Sequence, residues 1–213
     1  MTPTKLTIYN GALNAIKARR ITSTSDDVEA RYVLDDVWDR DFTNRILEKG
    51  LWNFAMRTVQ IDADTSYTDP LGAGWNRFDK PSDLVRVAEI SSNGSFTEPD
   101  LSFQDEGNYI YSTLTTIYVR YVSNGASYGT DYSLWPPSFT QFAENYLGLM
   151  CIGRIADART EKQELERITQ RSLAEARSRD AMREPTKFAP ESSWNRARHG
   201  RWSRSRKDYG GMI

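Results

Sequence analysis

The stretch LEKGLWNFAMRTVQID, residues 47–62, marks the point where the periodicity of the chain changes. Before Gly50 the apolar residues recur at helical spacing, and after it they are β-branched or alternate with polar residues. Gly50 is well placed to end a helix. The sequence therefore predicts a long amphipathic helix over about 26–49 and a strand within WNFAMRTVQID. The apolar face of the helix consists of Ala30, Val33, Leu34, Val37, Trp38, Phe42 and Ile46.

A shorter helix is predicted before the long one, over about 5–19. Leu6, Tyr9, Leu13 and Ile16 fall on one of its faces at helical spacing. The stretch TSTSDD, residues 22–27, follows it, and the side-chain oxygens of such residues are typical helix N-caps. We therefore expect two helices within the first 50 residues.

Strand-like patterns follow Gly50. LVRVAEIS, residues 84–91, is rich in β-branched residues, and GNYIYSTLTTIYVRYV, residues 107–122, has the pattern of a hairpin. Its stronger strand is predicted at Ile117–Val122. Residues 65–83 and 123–137 are rich in Gly, Pro, Asp and Ser, which is typical of loops. The pattern predicts a small β region.

Helical spacing returns after the second loop. A helix over about 137–158 is apolar nearly all round its middle, which predicts a position at the centre of a bundle. A last helix, about 160–183, has a narrow apolar stripe and many charges, and Pro185 ends it. Its stripe is Leu165, Ile168, Leu173 and Ala176.

These elements together predict an α+β fold that is mainly α. We expect an antiparallel bundle of about four helices with an inserted small β region and an extended C-terminal tail. The predicted divisions are residues 1–50 and 136–184 for the two parts of the bundle, 51–135 for the β region and its loops, and 185–213 for the C-terminal arm.

The charges are divided unevenly along the chain of 213 residues, whose formal net charge is −1. A net charge this small argues against a protein built mainly to coat nucleic acid. From Lys187 onward there are seven basic and two acidic residues, a net charge of +5, which leaves 21 basic and 27 acidic residues, a net charge of −6, before it. An acidic body with a basic tail is typical of a tail that binds a partner.

The sequence predicts a protein made and used in a cytosol, or in something assembled there. Its start, MTPTKLTIYN, lacks the apolar core of a signal peptide, and no window approaches the roughly 18 apolar residues that span a bilayer. Cys151 is the single cysteine, so no disulfide can form within the chain.

No catalytic constellation can be assembled from the sequence. The single histidine, His199, lies in the basic tail, and a thiol in an apolar helix such as that of Cys151 is usually inert. Two carboxylates can divide acid and base roles, but the acidic cluster on the long helix is better interpreted as its solvated face. The spacings offer no metal site and no phosphate-binding glycine loop. That cluster is Asp35, Asp36, Asp39 and Asp41.

The basic tail is the remaining candidate site, and its composition allows three interpretations. Trp and Arg are enriched at protein–protein hot spots. Arginines also bind phosphates and tryptophans stack on bases, as in nucleic-acid binding. The third interpretation is plain disorder. Two tryptophans eight residues apart favour a protein partner, because exposed indole is a liability. The candidate partner-binding residues are Trp194, Arg196, Arg198, Arg201, Trp202, Arg204 and Arg206.

The order of several short stretches resembles that of the head-to-tail adaptor proteins of tailed bacteriophages, the group of tail tubular protein A and the tail accessory factors. In one respect the chain departs from the pattern: KARRI, residues 17–21, stands where many relatives have a Gly-containing turn. The matching stretches are YNGALNAI (9–16), LEKGLWNFAMRTV (47–59), FDKPSDLVRV (78–87), IYVRYV (117–122), WPPSFTQFAENYLGLMCIGRIA (135–156), EARSRDAM (175–182) and SWNRAR (193–198).

The resemblance implies a structural virion protein at the head–tail junction, assembled in the host cytoplasm, with no catalysis and no cofactor. Such adaptors form a ring, typically a dodecamer, under the portal. The ring extends the channel through which DNA passes and provides a platform for the next tail component. The C-terminal segment usually reaches up along the portal. The resemblance also implies a lumen that does not hold DNA, and we expect it to be neutral or acidic, lined by carboxylates of the second or the fourth predicted helix.

Overall fold

The computed structural model describes residues 2–70, 73–97, 99–155 and 159–183, which form five α-helices and six β-strands. They lie in the first of two units of the chain, Met1–Arg183, and the second unit, Glu184–Ile213, lies outside the described residues. The helices are α1 (Lys5–Ala15), α2 (Glu29–Asp39), α3 (Phe42–Leu47), α4 (Pro137–Ile155) and α5 (Arg159–Ala181). The strands are β1 (Met56–Asp62), β2 (Asn76–Asp79), β3 (Leu84–Ser91), β4 (Gln104–Glu106), β5 (Tyr109–Ser112) and β6 (Thr116–Ser123).

The strands form two antiparallel sheets of three strands each. In the first, β6 lies between β1 and β3, and in the second β5 lies between β2 and β4. Alternate side chains of these strands point into a shared apolar core, as the period-2 geometry of strands requires. This β core contains Phe78, Ile90, Ile110, Ile117, Val119 and Tyr121.

The prediction of a mainly α bundle is wrong. Within the described residues, five helices and two three-stranded sheets make up 43% helix and 20% strand, which is a mixed helix-and-sheet fold. The β region is not a minor insertion, because it buries its own set of apolar side chains between the two sheets. The second sheet gives only a weak pattern in the sequence, because its strands are only three or four residues long. Its β2 lies inside the stretch 65–83, which was predicted to be a loop.

The predicted hairpin over residues 107–122 is also wrong. β5 pairs with β2 and β4, whereas β6 pairs with β1 and β3, so the two consecutive strands belong to different sheets. The chain leaves one sheet at Ser112, whose hydroxyl donates to Asp100 at 2.6 Å, and enters the other at Thr116. Long-range pairing of this kind outweighs the local hairpin pattern.

The predicted helix over 26–49 is divided into α2 and α3. Asp41 has a φ of 58°, a left-handed conformation that Asp tolerates better than most residues and that interrupts the helix. The predicted N-cap is wrong as well. Asp26 instead accepts hydrogen bonds from the backbone N–H groups of Thr22 and Ser23, at 2.6 and 3.1 Å, and so closes a turn. The helix begins at Glu29, with Val28 as its N-cap.

Helix α4 lies at the centre of the helical layer, which confirms the position expected from its apolar surface. α1, α2 and α5 all pack against it. The backbones of α1 and α4 approach closely at Gly148, where an added Cβ would lie 2.9 Å from the carbonyl oxygen of Ala12. The buried side chains of α4 include Phe139, Phe142, Ala143, Leu147, Cys151 and Ile152.

Trp52 packs in the helical core against α3 and α4, shortly before β1 begins at Met56. Its side chain is 1% exposed, and its Nε1–H donates to the carbonyl oxygens of Ile46 and Leu47 at 3.2 and 3.1 Å. These carbonyls lie at the C-terminal end of α3, where they also accept from the backbone N–H groups of Lys49 and Gly50 at 3.3 Å. The indole also packs edge-to-face on Phe139 of α4, with 4.7 Å between ring centroids. Gly50 is needed beside it, because a Cβ there would lie 2.9 Å from the Trp52 ring.

Helix α5 packs through one narrow stripe, and most of its other described side chains are exposed. Leu165 and Ala176 belong to the stripe as predicted, but Ile168 is 43% exposed. At its first turn Glu161 binds Lys17, and near its end Asp180 accepts from the backbone N–H of Asn53 at 3.0 Å. Among the described residues, no helix combines the length and the apolar character that crossing a membrane would require. The buried stripe is Leu165, Thr169, Ser172, Ala176 and Asp180.

Candidate functional site

The seven residues predicted to bind a partner lie outside the described residues. They belong to the second unit, Glu184–Ile213, and their assignment stays a prediction. The predicted C-terminal arm, residues 185–213, lies outside the described residues in the same way. The seven are Trp194, Arg196, Arg198, Arg201, Trp202, Arg204 and Arg206.

The carboxylates of α2 hold neighbouring helices in place. Asp35 accepts from the Tyr9 hydroxyl at 2.7 Å and forms ion pairs with Arg31 and Lys5 at 3.0 and 3.2 Å. Burial opposes its ionisation, but the hydrogen bonds from Tyr9, Arg31 and Lys5 outweigh it and hold the pKa of Asp35 below its ordinary value. The Asp35 carboxylate is therefore fully engaged in joining α1 to α2.

The rest of this acidic cluster does not converge on a common point. Asp36 forms ion pairs with Arg40 at 2.9 Å and with Arg154 of α4 at 3.4 Å, so it faces different partners from Asp35. Asp39 and Asp41 are exposed. Within the described ranges, no group of three or more His, Cys, Asp or Glu residues could hold a metal ion. The interpretation of this cluster as a solvated helix face holds for Asp39 and Asp41 and is wrong for Asp35 and Asp36, which are partly buried and bind side chains of α1 and α4.

Cys151 is fully buried in the helical core. Burial raises the pKa of its thiol to about 12, so the nucleophilic thiolate is scarce near neutral pH. The expectation that this cysteine packs in the core is confirmed.

Asp83 is the centre of a polar network where β1, β3 and β6 meet. It accepts hydrogen bonds from Arg57 at 2.8 Å and from the hydroxyls of Tyr121, at 2.9 Å, and Ser123. Burial opposes its ionisation, and the hydrogen bonds from Ser123, Arg57 and Tyr121 outweigh it and lower the pKa of Asp83. The network belongs to the stretch FDKPSD, where it fixes the start of β3 against the centre of the sheet.

A groove with a volume of about 970 Å³ lies between β3 and the turn that joins β4 to β5. Its basic groups are already engaged: Lys80 binds Asp105 and the carbonyl oxygen of Gly107, and Arg86 donates to the carbonyl oxygen of Glu48 at 3.1 Å. The pairing of β3 with β6 also shifts register twice, and such bulges protect an edge strand from pairing with a further strand. We therefore assign no ligand to this groove.

The outer face of the second sheet carries a cluster of aromatic rings, which we call the tyrosine face. Tyr109 and Tyr111 alternate along β5 with the buried Ile110, and Tyr67 packs edge-to-face on Tyr111 with 5.7 Å between centroids. All three tyrosines are partly exposed. The Arg77 guanidinium lies over two of them, 5.0 Å from the Tyr67 centroid and 4.5 Å from that of Tyr109.

Carboxylates surround the tyrosine face. Asp64 forms an ion pair with Arg77, and that hydrogen bond, with those from Ser66, lowers the pKa of Asp64 to about 2. Asp79 of β2 and Glu106 of β4 lie opposite Tyr109 on its two sides in the strand register, and both are exposed. Neither forms an ion pair or a side-chain hydrogen bond with a described residue.

Sequence reasoning missed the tyrosine face. The usable signal was the alternation YIYS at 109–112, which places two tyrosines on one face of a strand. The contribution of Tyr67 and Arg77 could not be predicted, because both lie in the stretch assigned to a loop. Comparisons with protein-family models and with curated proteins give no match for this chain.

Proposed function

We propose that this protein is a structural virion protein, a head-to-tail adaptor. It forms a ring under the portal, extends the DNA channel, and provides the docking platform for the next tail component. The ring is a dodecamer, as is typical of the adaptors that the sequence resembles. DNA passes through the lumen without specific binding, and a neutral or acidic lumen suits this role because several phosphate contacts per subunit would multiply around a ring.

The order and spacing of the stretches that resemble the adaptors carry this proposal. Those within the described residues occupy the positions on which this fold depends most. YNGALNAI covers most of α1, which packs against α4, and LEKGLWNFAMRTV contains Trp52, which donates to α3 and packs on Phe139 of α4. FDKPSD contains the Asp83 network, and IYVRYV is the central strand β6.

The C-terminal segment is proposed to attach the ring to the portal. A segment that orders on contact can cover a large surface, at the cost of the entropy lost on ordering. Trp194 and Trp202 would fill grooves of the portal, and the five arginines between residues 196 and 206 would pair with its acidic groups and fix the register.

Mass photometry of the purified chain with the portal protein of the same phage tests the proposal. The full chain is expected to add the mass of a ring to the portal, and a chain that ends at Glu184 is expected to add none. The variant Trp194→Ala/Trp202→Ala should also fail to bind, whereas a matched double change in the same segment, Asn195→Ala/Ser203→Ala, should bind normally. If neither the full nor the shortened chain binds the portal, the adaptor assignment is wrong.

The second candidate function is nucleic-acid binding by the same basic segment. It would appear as a band shift with duplex DNA whose affinity falls steeply with salt, since each neutralised phosphate releases counterions. An adaptor should bind DNA weakly at most, so a strong shift at moderate salt without portal binding would favour this alternative.

A further inference from the structure

We propose that the tyrosine face is a docking surface for an arginine-bearing segment of a partner protein. The proposal depends on the contacts of this face alone, and it stands whether or not the protein is an adaptor.

The residue types of this face are those of a protein interface. Tyrosine and arginine are enriched at the centres of interfaces: tyrosine supplies a large contact area with few rotatable bonds, and arginine supplies a planar group that stacks on rings and bonds to carboxylates. Here three tyrosines and Arg77 lie on one side of a three-stranded sheet, and the opposite side is filled by the buried Phe78 and Ile110. The backbone of β5, which carries Tyr109 and Tyr111, is therefore held in place by a packed core.

The chain itself shows that this surface accommodates a guanidinium group. Arg77 stacks over Tyr67 and Tyr109 and neutralises Asp64, which is the combination of a ring face and a carboxylate that holds arginine in proteins. This internal pair uses Asp64 and leaves the two carboxylates beside Tyr109 without a cation.

Asp79 and Glu106 provide the charge for a second cation. Residues directly opposite on neighbouring strands have Cβ atoms about 5 Å apart, so both carboxylates lie within reach of a cation bound at the Tyr109 and Tyr111 rings. An arginine fits better than a lysine, because its planar, weakly hydrated guanidinium can stack on a ring while it bonds to a carboxylate.

The same charges argue against nucleic acid as the occupant. Aromatic rings on a sheet can stack on bases, but a phosphate backbone on this face would meet Asp79 and Glu106, with Arg77 already neutralised by Asp64. Electrostatic complementarity therefore selects a cationic protein segment.

The test uses the full chain labelled with ¹⁵N and a short peptide of alternating glycine and arginine as the probe. Chemical-shift changes are expected at Tyr109, Tyr111 and Gly107, with a weaker response to the corresponding lysine peptide. The variant Asp79→Asn/Glu106→Gln keeps the shape of both side chains and should weaken binding about tenfold. Tyr109→Leu keeps an apolar side chain at this position but removes the ring, and should weaken binding too.

A matched control removes two exposed carboxylates from the helical layer, as Asp39→Asn/Glu166→Gln, and should bind the peptide as the unmodified chain does. Four results would overturn the proposal. They are no binding, an equal loss in the control, shifts at the tyrosine face with single-stranded oligothymidine instead of the peptide, and concentration-dependent shifts there without any probe. The last would identify a second copy of this chain as the occupant.

Discussion

The Glu144 carboxyl group on α4 gives the sharpest test of the helical packing. It lies half-buried at the contact with α1, where an added Cβ on Gly11 would overlap it, and it makes no hydrogen bond or ion pair with a described residue. Burial raises the pKa of Glu144 from its ordinary 4.5 to about 7. The folded protein therefore binds a proton more tightly than the unfolded chain does.

The sign of the pH dependence follows from these two values. The stabilising effect of the protonated carboxyl is fully present below pH 4.5 and is lost as the pH rises through about 7. The two pKa values differ by about 2.5, which sets an upper limit of about 3.4 kcal/mol on the loss. Because the group is only half-buried, solvent screening reduces the expected loss to about 1–2 kcal/mol.

The free energy of unfolding of the full chain, measured in urea at pH 5 and pH 8.5, tests this account. Glu144→Gln should be more stable than the unmodified chain at pH 8.5 by about 1–2 kcal/mol and should lose less stability between the two pH values. Glu166→Gln, which replaces an exposed residue on α5, is the control. Both variants retain His199, so any effect of that histidine on the pH dependence is the same in both. If Glu144→Gln keeps the full pH dependence, the burial argument is wrong.

Substitutions at four further positions, Gly11, Gly148, Trp52 and Asp83, test individual contacts by urea unfolding. Gly11→Ala should push the flexible Glu144 side chain towards solvent, change the free energy of unfolding by no more than about 1 kcal/mol, and reduce its pH dependence. Gly148→Ala would bring a methyl group against the backbone of Ala12 and should cost about 1–3 kcal/mol. Equal costs for the two substitutions would contradict the close approach of α1 and α4. Trp52→Ala should lose about 3–5 kcal/mol, and Trp52→Phe, which keeps most of the ring but removes the donor to α3, should lose less. Asp83→Ala should cost about 2–4 kcal/mol, because it leaves the Arg57 guanidinium and two hydroxyls without their acceptor. Asp62→Ala is the control, and a loss for Asp83→Ala no larger than for this control would refute the central role of the network.

The local parts of this fold could be predicted from the sequence, and its long-range pairings could not. The apolar surface of α4 indicated its central position, and β-branched runs located β1, β3 and β6. The pairing of β5 with β4 is local, but its pairing with β2 joins residues more than 25 positions apart, as in the pair Phe78–Ile110, and no local pattern encodes it. The break at Asp41 depends on a single backbone conformation that the sequence permits but does not require.

The candidate sites also differ in whether the sequence could predict them. The core position of Cys151 and the exposure of Asp39 followed from residue type and spacing, because burial and solvation of a helix face repeat at a known period. The contacts of Asp35 with α1 did not follow from that pattern. The tyrosine face needed three separate segments, represented by Tyr67, Arg77 and Tyr109, to meet on one sheet. The tertiary structure alone brings these residues together.

The central position of α4 has a consequence for the order in which the chain can fold. All strands of the described residues lie between Met56 and Ser123, so both sheets can form once that continuous segment has been synthesised. The helical layer cannot form at that stage, because α1 and α2 pack on a helix that begins only at Pro137. During synthesis the chain emerges from its N-terminus, so the apolar faces of the first two helices stay uncovered until the β region and then α4 have been made. Contacts so distant in sequence are also slow to form, so closure of the helical layer is expected to be the late step of folding.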